Sequence, residues 1–304
     1  MESPPTASPP VTAPPSKMRV FFSRLSSTLV LWGVMILTIV LQDPHLYVGV
    51  ACFFGIAGTF EYFRLLGRDA QHAWFAALGM LIGLGYWAAV LWHVFTTNTE
   101  PPLGFDLAAL VVALQGSFLL CYRHGLEGEA TLRRVFSTVF GVVYTVICYG
   151  FIVRLMYFRG DGTGLNGAYL MLFLILVTKF SDMGAYAVGS LLGRHKMIPH
   201  ISPAKTWEGL LGAIFFSTLG TVLMLWWKPT QLAPLTWTHG FILVPILVFC
   251  AVTGDLAESI LKRCTSIKDT GHKFPGIGGI LDLTDSLLFT APVFYYYLVG
   301  VAGK

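Results

Sequence analysis

Three aspartates stand out as groups able to do chemistry in this chain. Asp282 and Asp285 are spaced i, i+3 and share one helix face. Asp255, Ser259 and Lys262 are spaced i, i+4 and i+7 and share another, with Glu258 beside it. Carboxylates that converge in an apolar region repel one another, so at least one is protonated unless a cation holds them. A ligand set of oxygens, without His or Cys, suits Mg²⁺, a hard ion that keeps waters and substrate phosphates. Between the two acidic stretches run Lys262, Arg263, Lys268 and Lys273, followed by a Pro-Gly break and the pair Gly278-Gly279. A metal, basic residues and a glycine-rich turn together are what a nucleoside triphosphate requires. Each piece also has a plainer use. Asp282 and Asp285 suit a helix N-terminus, where carboxylates cap free N–H groups. The basic cluster suits a cytoplasmic loop, and Pro275-Gly276 alone makes a turn. Asp255 resists such a reading, because an ionisable residue at a membrane edge is functional by default.

The elements that must position these groups are membrane helices. The 304 residues are 55% hydrophobic and 12% charged, about half the charge of a soluble domain, and the mean hydropathy is +0.69. Apolar runs lie near 24–42, 46–66, 72–95, 105–122, 132–153, 166–190, 208–227, 237–260 and 280–300. A helix that crosses a bilayer needs about 20 such residues, and in hydrocarbon each backbone polar group must be satisfied within its segment. The expected fold class is therefore all-α, a polytopic membrane protein with about nine transmembrane helices. Loop charges orient it. With the N-terminus inside, fifteen Lys and Arg fall in cytoplasmic loops and four fall outside, namely Arg154, Arg159, Lys228 and Lys304. This asymmetry predicts N-terminus inside, C-terminus outside, and a multi-pass protein of the cell membrane with its active site on the cytoplasmic side.

Three regions are expected. Residues 1–16, "MESPPTASPPVTAPPS", are a Pro-rich tail that cannot build a core and is read as disordered. Residues 17–160 form the N-terminal transmembrane helices, and residues 161–304 carry the catalytic motifs. The net charge of +4 reflects orientation, and without a basic surface domain no nucleic-acid partner is expected. The five cysteines give no disulfide framework. "GAYAVGS" has the glycine spacing of a P-loop but not the Lys that follows one. His195 and His200 read as ordinary loop residues. The absence of an internal repeat counts against an inverted-repeat transporter.

The stretch "GDLAESILKRCTSIKDTGHKFPGIGGILDLTDSLLFTAPV" closely resembles the C-terminal signature of phosphatidate cytidylyltransferases, also called CDP-diglyceride synthases. Ser259, Lys262, Arg263, Lys268, Asp269, Gly271, Pro275, Gly276, Gly278, Gly279, Asp282 and Asp285 fall in register with it. Upstream, "SDMGAYAVGSLLGRHKMIPHISPAKTWEG" resembles the family's other motif segment, and the pair Glu61-Tyr62 is similar too. The resemblance is strong over about the last 130 residues. It implies that the phosphate of phosphatidate attacks the α-phosphorus of CTP, releasing pyrophosphate and forming CDP-diacylglycerol for phospholipid synthesis. It implies that Asp255, Asp282 and Asp285 hold a metal centre of Mg²⁺ and a second cation. Lys262, Arg263 and Lys268 are then assigned to phosphates, with Ser259, Gly278 and Gly279 beside them. Ser202, Lys205, Thr206 and Glu208 are assigned to the nucleotide or lipid headgroup. Asp269 orients the lysines or a metal-bound water, and Asp182 closes the pocket from a facing helix. The implied partners are CTP, phosphatidate entering from the bilayer, and a second copy in a homodimer.

Two positions depart from the family pattern: Ile277 stands where it has His, and Leu283 where it has Arg. All the carboxylates survive, which favours an active enzyme. The departures leave two competing readings, the same chemistry on another lipid phosphate and a weakly active paralogue that binds lipid.

Overall fold

The computed structural model describes residues 43–66, 70–158, 167–233, 235–265 and 279–302. The Pro-rich tail, the apolar run at 24–42, and Lys268, Asp269, Ile277 and Gly278 lie outside the described residues.

The described residues form eight long helices: α1 Pro44–Leu66, α2 Ala70–Thr97, α3 Gly104–His124, α4 Glu129–Tyr157, α5 Gly167–Leu192, α6 Trp207–Trp227, α7 Trp237–Cys264 and α8 Ile280–Ala302. Among the described residues seven, α1 to α7, are long and apolar enough to cross a membrane. They match the expected runs from 46–66 to 237–260 one for one. The eighth, α8, has 23 residues and opens on "ILDLTDS", whose two acids lower its hydropathy. Within α4, Val142–Ile147 winds as a π-helix.

The all-helical expectation needs one correction. Between α5 and α6 the chain forms an antiparallel hairpin of β1, Lys196–Ile198, and β2, Ser202–Thr206, pairing Lys196 with Thr206 and Ile198 with Ser202. Pro199 and Pro203 cannot continue a helix here. Thr206 ends the hairpin and starts α6, its Oγ1 accepting the N–H of Gly209 at 3.1 Å.

The helix α8 lies at the centre, packed on α7, α4, α1 and α5. Its residues Leu288, Ala291, Phe294 and Leu298 are fully buried. Between membrane helices close packing, rather than escape from water, holds such contacts. Small residues let backbones approach. A Cβ on Gly184 of α5 would lie 2.4 Å from Gly212 O of α6, and one on Gly212 would lie 2.5 Å from Gly184 O. The "GAYAVGS" glycine spacing thus serves a helix crossing.

Arg154 is not the outside loop charge that its position suggests. It is completely buried in α4, with Nη2 2.9 Å from Asp106 Oδ2, and it donates to the carbonyls of Pro101 and Pro102. Asp106 also accepts the Tyr86 hydroxyl at 2.8 Å. A buried guanidinium needs such partners, and here they come from a stretch some fifty residues upstream.

Candidate active site

The site forms where α7, α8, α5 and the hairpin meet. On α7, Asp255, Glu258 and Lys262 follow one another at i, i+3 and i+7. Gly254, one residue before them, is where α8 touches α7. A Cβ there would lie 2.6 Å from Asp285 O and 3.1 Å from Ser286 Cα. Any larger residue would push the second turn of α8 away from the α7 acids.

This close approach brings carboxylate oxygens of Asp255, Glu258 and Asp285 within 4.8 Å of one another. Asp285 is 7% exposed, and its Oδ1 accepts the N–H of Ser286 at 2.6 Å. Glu258 is 1% exposed; its Oε2 pairs with Lys262, and its buried Oε1 has no hydrogen-bond partner. An orphaned buried carboxylate oxygen beside two further acids fits a hard cation. Of the expected trio, Asp255 and Asp285 come together with Glu258, and Asp282 stands beside them. Asp282 faces Lys262 Nζ at 3.4 Å, and its other oxygen accepts the N–H of Gly279 at 2.8 Å. That second contact is half of a capping box, so the capping reading of Asp282 is realised as well.

The far side of the same helix end is held by Glu61 of α1. Its Oε2 accepts the N–H of Leu281 at 3.0 Å, placing a buried acid at the N-terminus of α8. The neighbouring Tyr62 donates to Ser137 O at 3.0 Å.

A cavity of about 380 Å³ opens beside the acids, within the range of small-molecule sites. Asp182, Ser202, Lys205, Thr206, Asp255, Asp282 and Asp285 all line it, as do Lys179, Ser181, Tyr186 and Ser286. Lys205 bridges to Asp255 Oδ2 at 2.9 Å and donates to Val252 O at 3.0 Å. Around the cavity, Asp182, Asp255, Glu258, Asp282 and Asp285 face Lys179, Lys205 and Lys262. Were all five carboxylates ionised, they would exceed the three ammonium groups by two negative charges among the described residues, the charge of a divalent cation.

Other expected site residues lie apart. Ser259 is half-buried and Arg263 exposed, and neither lines the cavity. The N–H of Gly279 is occupied by Asp282. Glu208 faces away from the cavity and acts as a latch. Its carboxylate accepts the N–H groups of Arg194 and His195, each at 3.2 Å, and meets His195 Nδ1 at 2.5 Å. His195 is therefore the latch partner and more than an ordinary loop residue. Replacing Glu208 with Ala is expected to loosen the hairpin that carries Ser202, Lys205 and Thr206. The loss of these bonds should be read as a lower thermal midpoint and a raised KM with turnover retained. Loss of all turnover in a folded Glu208→Ala protein would return this residue to the substrate site.

Hard-cation donors and ammonium groups at the end of a membrane bundle define a membrane enzyme that handles phosphates. Comparison with known proteins identifies which kind. The profile of the cytidylyltransferase family matches residues 22–301, and the chain belongs to that family. It is 31% identical over 271 residues to the phosphatidate cytidylyltransferase of Mycobacterium leprae, covering 86% of this chain and 82% of that one. It is 35% identical over 181 residues to the phosphatidate cytidylyltransferase of Bacillus subtilis, covering 59% and 64% respectively. It is 34% identical over 199 residues to the uncharacterized protein YnbB of Escherichia coli, and this match spans 64% of each chain.

Proposed function

We propose that this chain transfers a cytidylyl group from CTP to phosphatidate. An oxygen of the lipid phosphate attacks the α-phosphorus, the bond to the pyrophosphate oxygen breaks, and CDP-diacylglycerol and pyrophosphate leave. The observation that carries this reading is the Asp255, Glu258 and Asp285 triangle opening on a lysine-bearing cavity at the end of a membrane bundle. The family membership and the similarity to two phosphatidate cytidylyltransferases support it.

Each residue has work in this reaction. Asp255, Glu258 and Asp285 would hold Mg²⁺, with Asp282 beside them for a second cation. When bound, such ions neutralise phosphate charge and make the phosphorus easier to attack. Lys205 and Lys262, now paired with acids, would turn to the triphosphate, and Ser202 and Thr206 would contact the nucleotide. Lys268, Asp269 and Gly278 keep the roles that the resemblance implies, and exposed Arg263 would meet phosphates at the mouth. Phosphatidate is already an anion near neutral pH, so no strong base is required. The rate comes from positioning and from charge compensation. Acyl chains reach the cavity sideways from the bilayer. A homodimer is proposed on the resemblance alone.

The acceptor is tested by giving the purified protein CTP, Mg²⁺ and one lipid phosphate at a time, and following pyrophosphate. Phosphatidate should be fastest. A faster isoprenoid or ether-lipid phosphate would transfer the assignment to that acceptor.

The proposed topology has the N-terminus and the active site in the cytoplasm. With Arg154 buried, the outside set shrinks to Arg159, Lys228 and Lys304. Lys228 lies 4.8 Å from the Trp227 ring centroid and 5.2 Å from that of Tyr169, and exposed Trp226 and Trp237 share that end, an arrangement that suits the outer interface. Exposed Cys264 sits at the opposite end of α7, beside the site. A membrane-impermeant thiol reagent should leave Cys264 unlabelled in intact cells and label it once they are permeabilised. Labelling in intact cells would reverse the topology and the side from which CTP enters.

A further inference from the structure

A second lysine lines the cavity besides Lys205. Lys179 lies on α5, nearly one helical turn deeper in the bundle than Asp182. Its ammonium is 3.4 Å from Asp182 Oδ2 and donates to Leu283 O at 3.3 Å, and its side chain is 28% exposed. Both contacts are long for a group with three strong donors. Lys205, by comparison, lies 2.9 Å from Asp255, and Lys262 is held by both Glu258 and Asp282.

The position of Lys179 matters as much as its loose hold. Lys179, Asp182 and Tyr186 follow one another at i, i+3 and i+7, share a face of α5, and all line the cavity. That face is also where the cavity opens to the outside of the bundle. Tyr186 is 79% exposed and the adjacent Met183 55%, on a helix of membrane-spanning length and apolarity. The reaction needs two phosphate ligands at once, one arriving from water and one from lipid. Lys205 lies on the hairpin, outside the membrane helices. Lys179 lies within one, next to the lateral edge. An ammonium placed within a span is costly unless it meets an anion. Asp182 meets that need only at long range.

We infer that Lys179 binds the phosphate of the lipid acceptor, with Tyr186 marking the side entrance through which its headgroup arrives. This rests on the reading of the chain as a lipid-phosphate cytidylyltransferase. Asp182 and the carbonyl of Leu283 hold the ammonium until the phosphate takes their place. The chain departs from the family pattern at Leu283 by having no cation there, and its backbone oxygen instead steadies a lysine from the facing helix.

The test is Lys179→Met in the full-length protein in mixed micelles, with CTP and phosphatidate varied separately. The KM for phosphatidate should rise about tenfold or more, as expected for loss of a charge-assisted contact, with the KM for CTP within about twofold and Lys179→Arg recovering most of the loss. Phosphatidate binding without CTP, read from tryptophan fluorescence, should weaken by a similar factor, with the thermal midpoint little changed. An unchanged phosphatidate KM, an equal rise for both substrates, or a fall in stability alone would make Lys179 a strut between α5 and α8 and overturn the inference. If Lys179→Met does not accumulate, Lys179→Gln carries the same test. If the wild-type protein makes no CDP-diacylglycerol, the functional reading fails, and the binding measurement without CTP still decides the role of Lys179.

Discussion

Asp285→Asn is expected to lower cytidylyl transfer by about a thousandfold, the scale of losing a central electrostatic element of a site, and to leave the protein folded in its membrane. The side-chain oxygen of Asn still accepts the N–H of Ser286, which Asp285 Oδ1 accepts at 2.6 Å. The second turn of α8 therefore keeps its local bond. What disappears is one negative charge from the triangle with Asp255 and Glu258. Converging carboxylates are tolerable together only if one is protonated or a cation lies among them, and two would hold the proposed cation less firmly than three. Turnover at saturating CTP, with thermal unfolding of the same preparation, checks this. Activity within a few-fold of wild type would reduce Asp285 to a residue of the helix start.

Gly254→Ala is expected to damage the site without touching any group that could bind substrate. The added Cβ would sit 2.6 Å from Asp285 O, and the obstacle is backbone that cannot rotate away. The helices α7 and α8 must then separate where Asp255 faces Asp285. Misplacing reacting groups by about 1 Å costs about a hundredfold in rate, and overpacking of this kind costs about 1–3 kcal/mol. Turnover should fall by about that hundredfold, with a lower thermal midpoint. Gly85→Ala is the control, because nothing lies within 4 Å of a Cβ there, and it should change neither quantity. If Gly254→Ala keeps full activity, the site does not depend on the close approach of these two helices.

The apolar runs were legible because a membrane-spanning helix must be continuous and apolar, and seven of those runs appear as helices of that kind. Asp255, Asp282 and Asp285 were legible because acids are rare in such a chain. Glu258 was harder to rank, being set beside the helix face on which Asp255 and Lys262 lie, and only the approach of α8 turns it inward. Motif membership did not separate a cavity residue from a brace. Lys205 and Glu208 belong to one short stretch, yet one lines the cavity and the other latches Arg194 and His195. Arg154 reads as a loop charge because its partner, Asp106, is distant in sequence. Lys179 and Gly254 owe their importance to neighbours on other helices, Leu283 and Asp285, which no local spacing discloses. The hairpin was missed since its strands are only three and five residues long.

The central claim is that the chain joins the cytidylyl group of CTP to phosphatidate, and the fate of each phosphorus tests it most directly. The purified full-length protein is given phosphatidate in micelles, Mg²⁺, and CTP labelled at either the α- or the γ-phosphorus. The account predicts that the α label passes into the lipid as CDP-diacylglycerol while the γ label leaves in pyrophosphate, one for one. The γ label in the lipid, or no label in the lipid from either CTP, would contradict it.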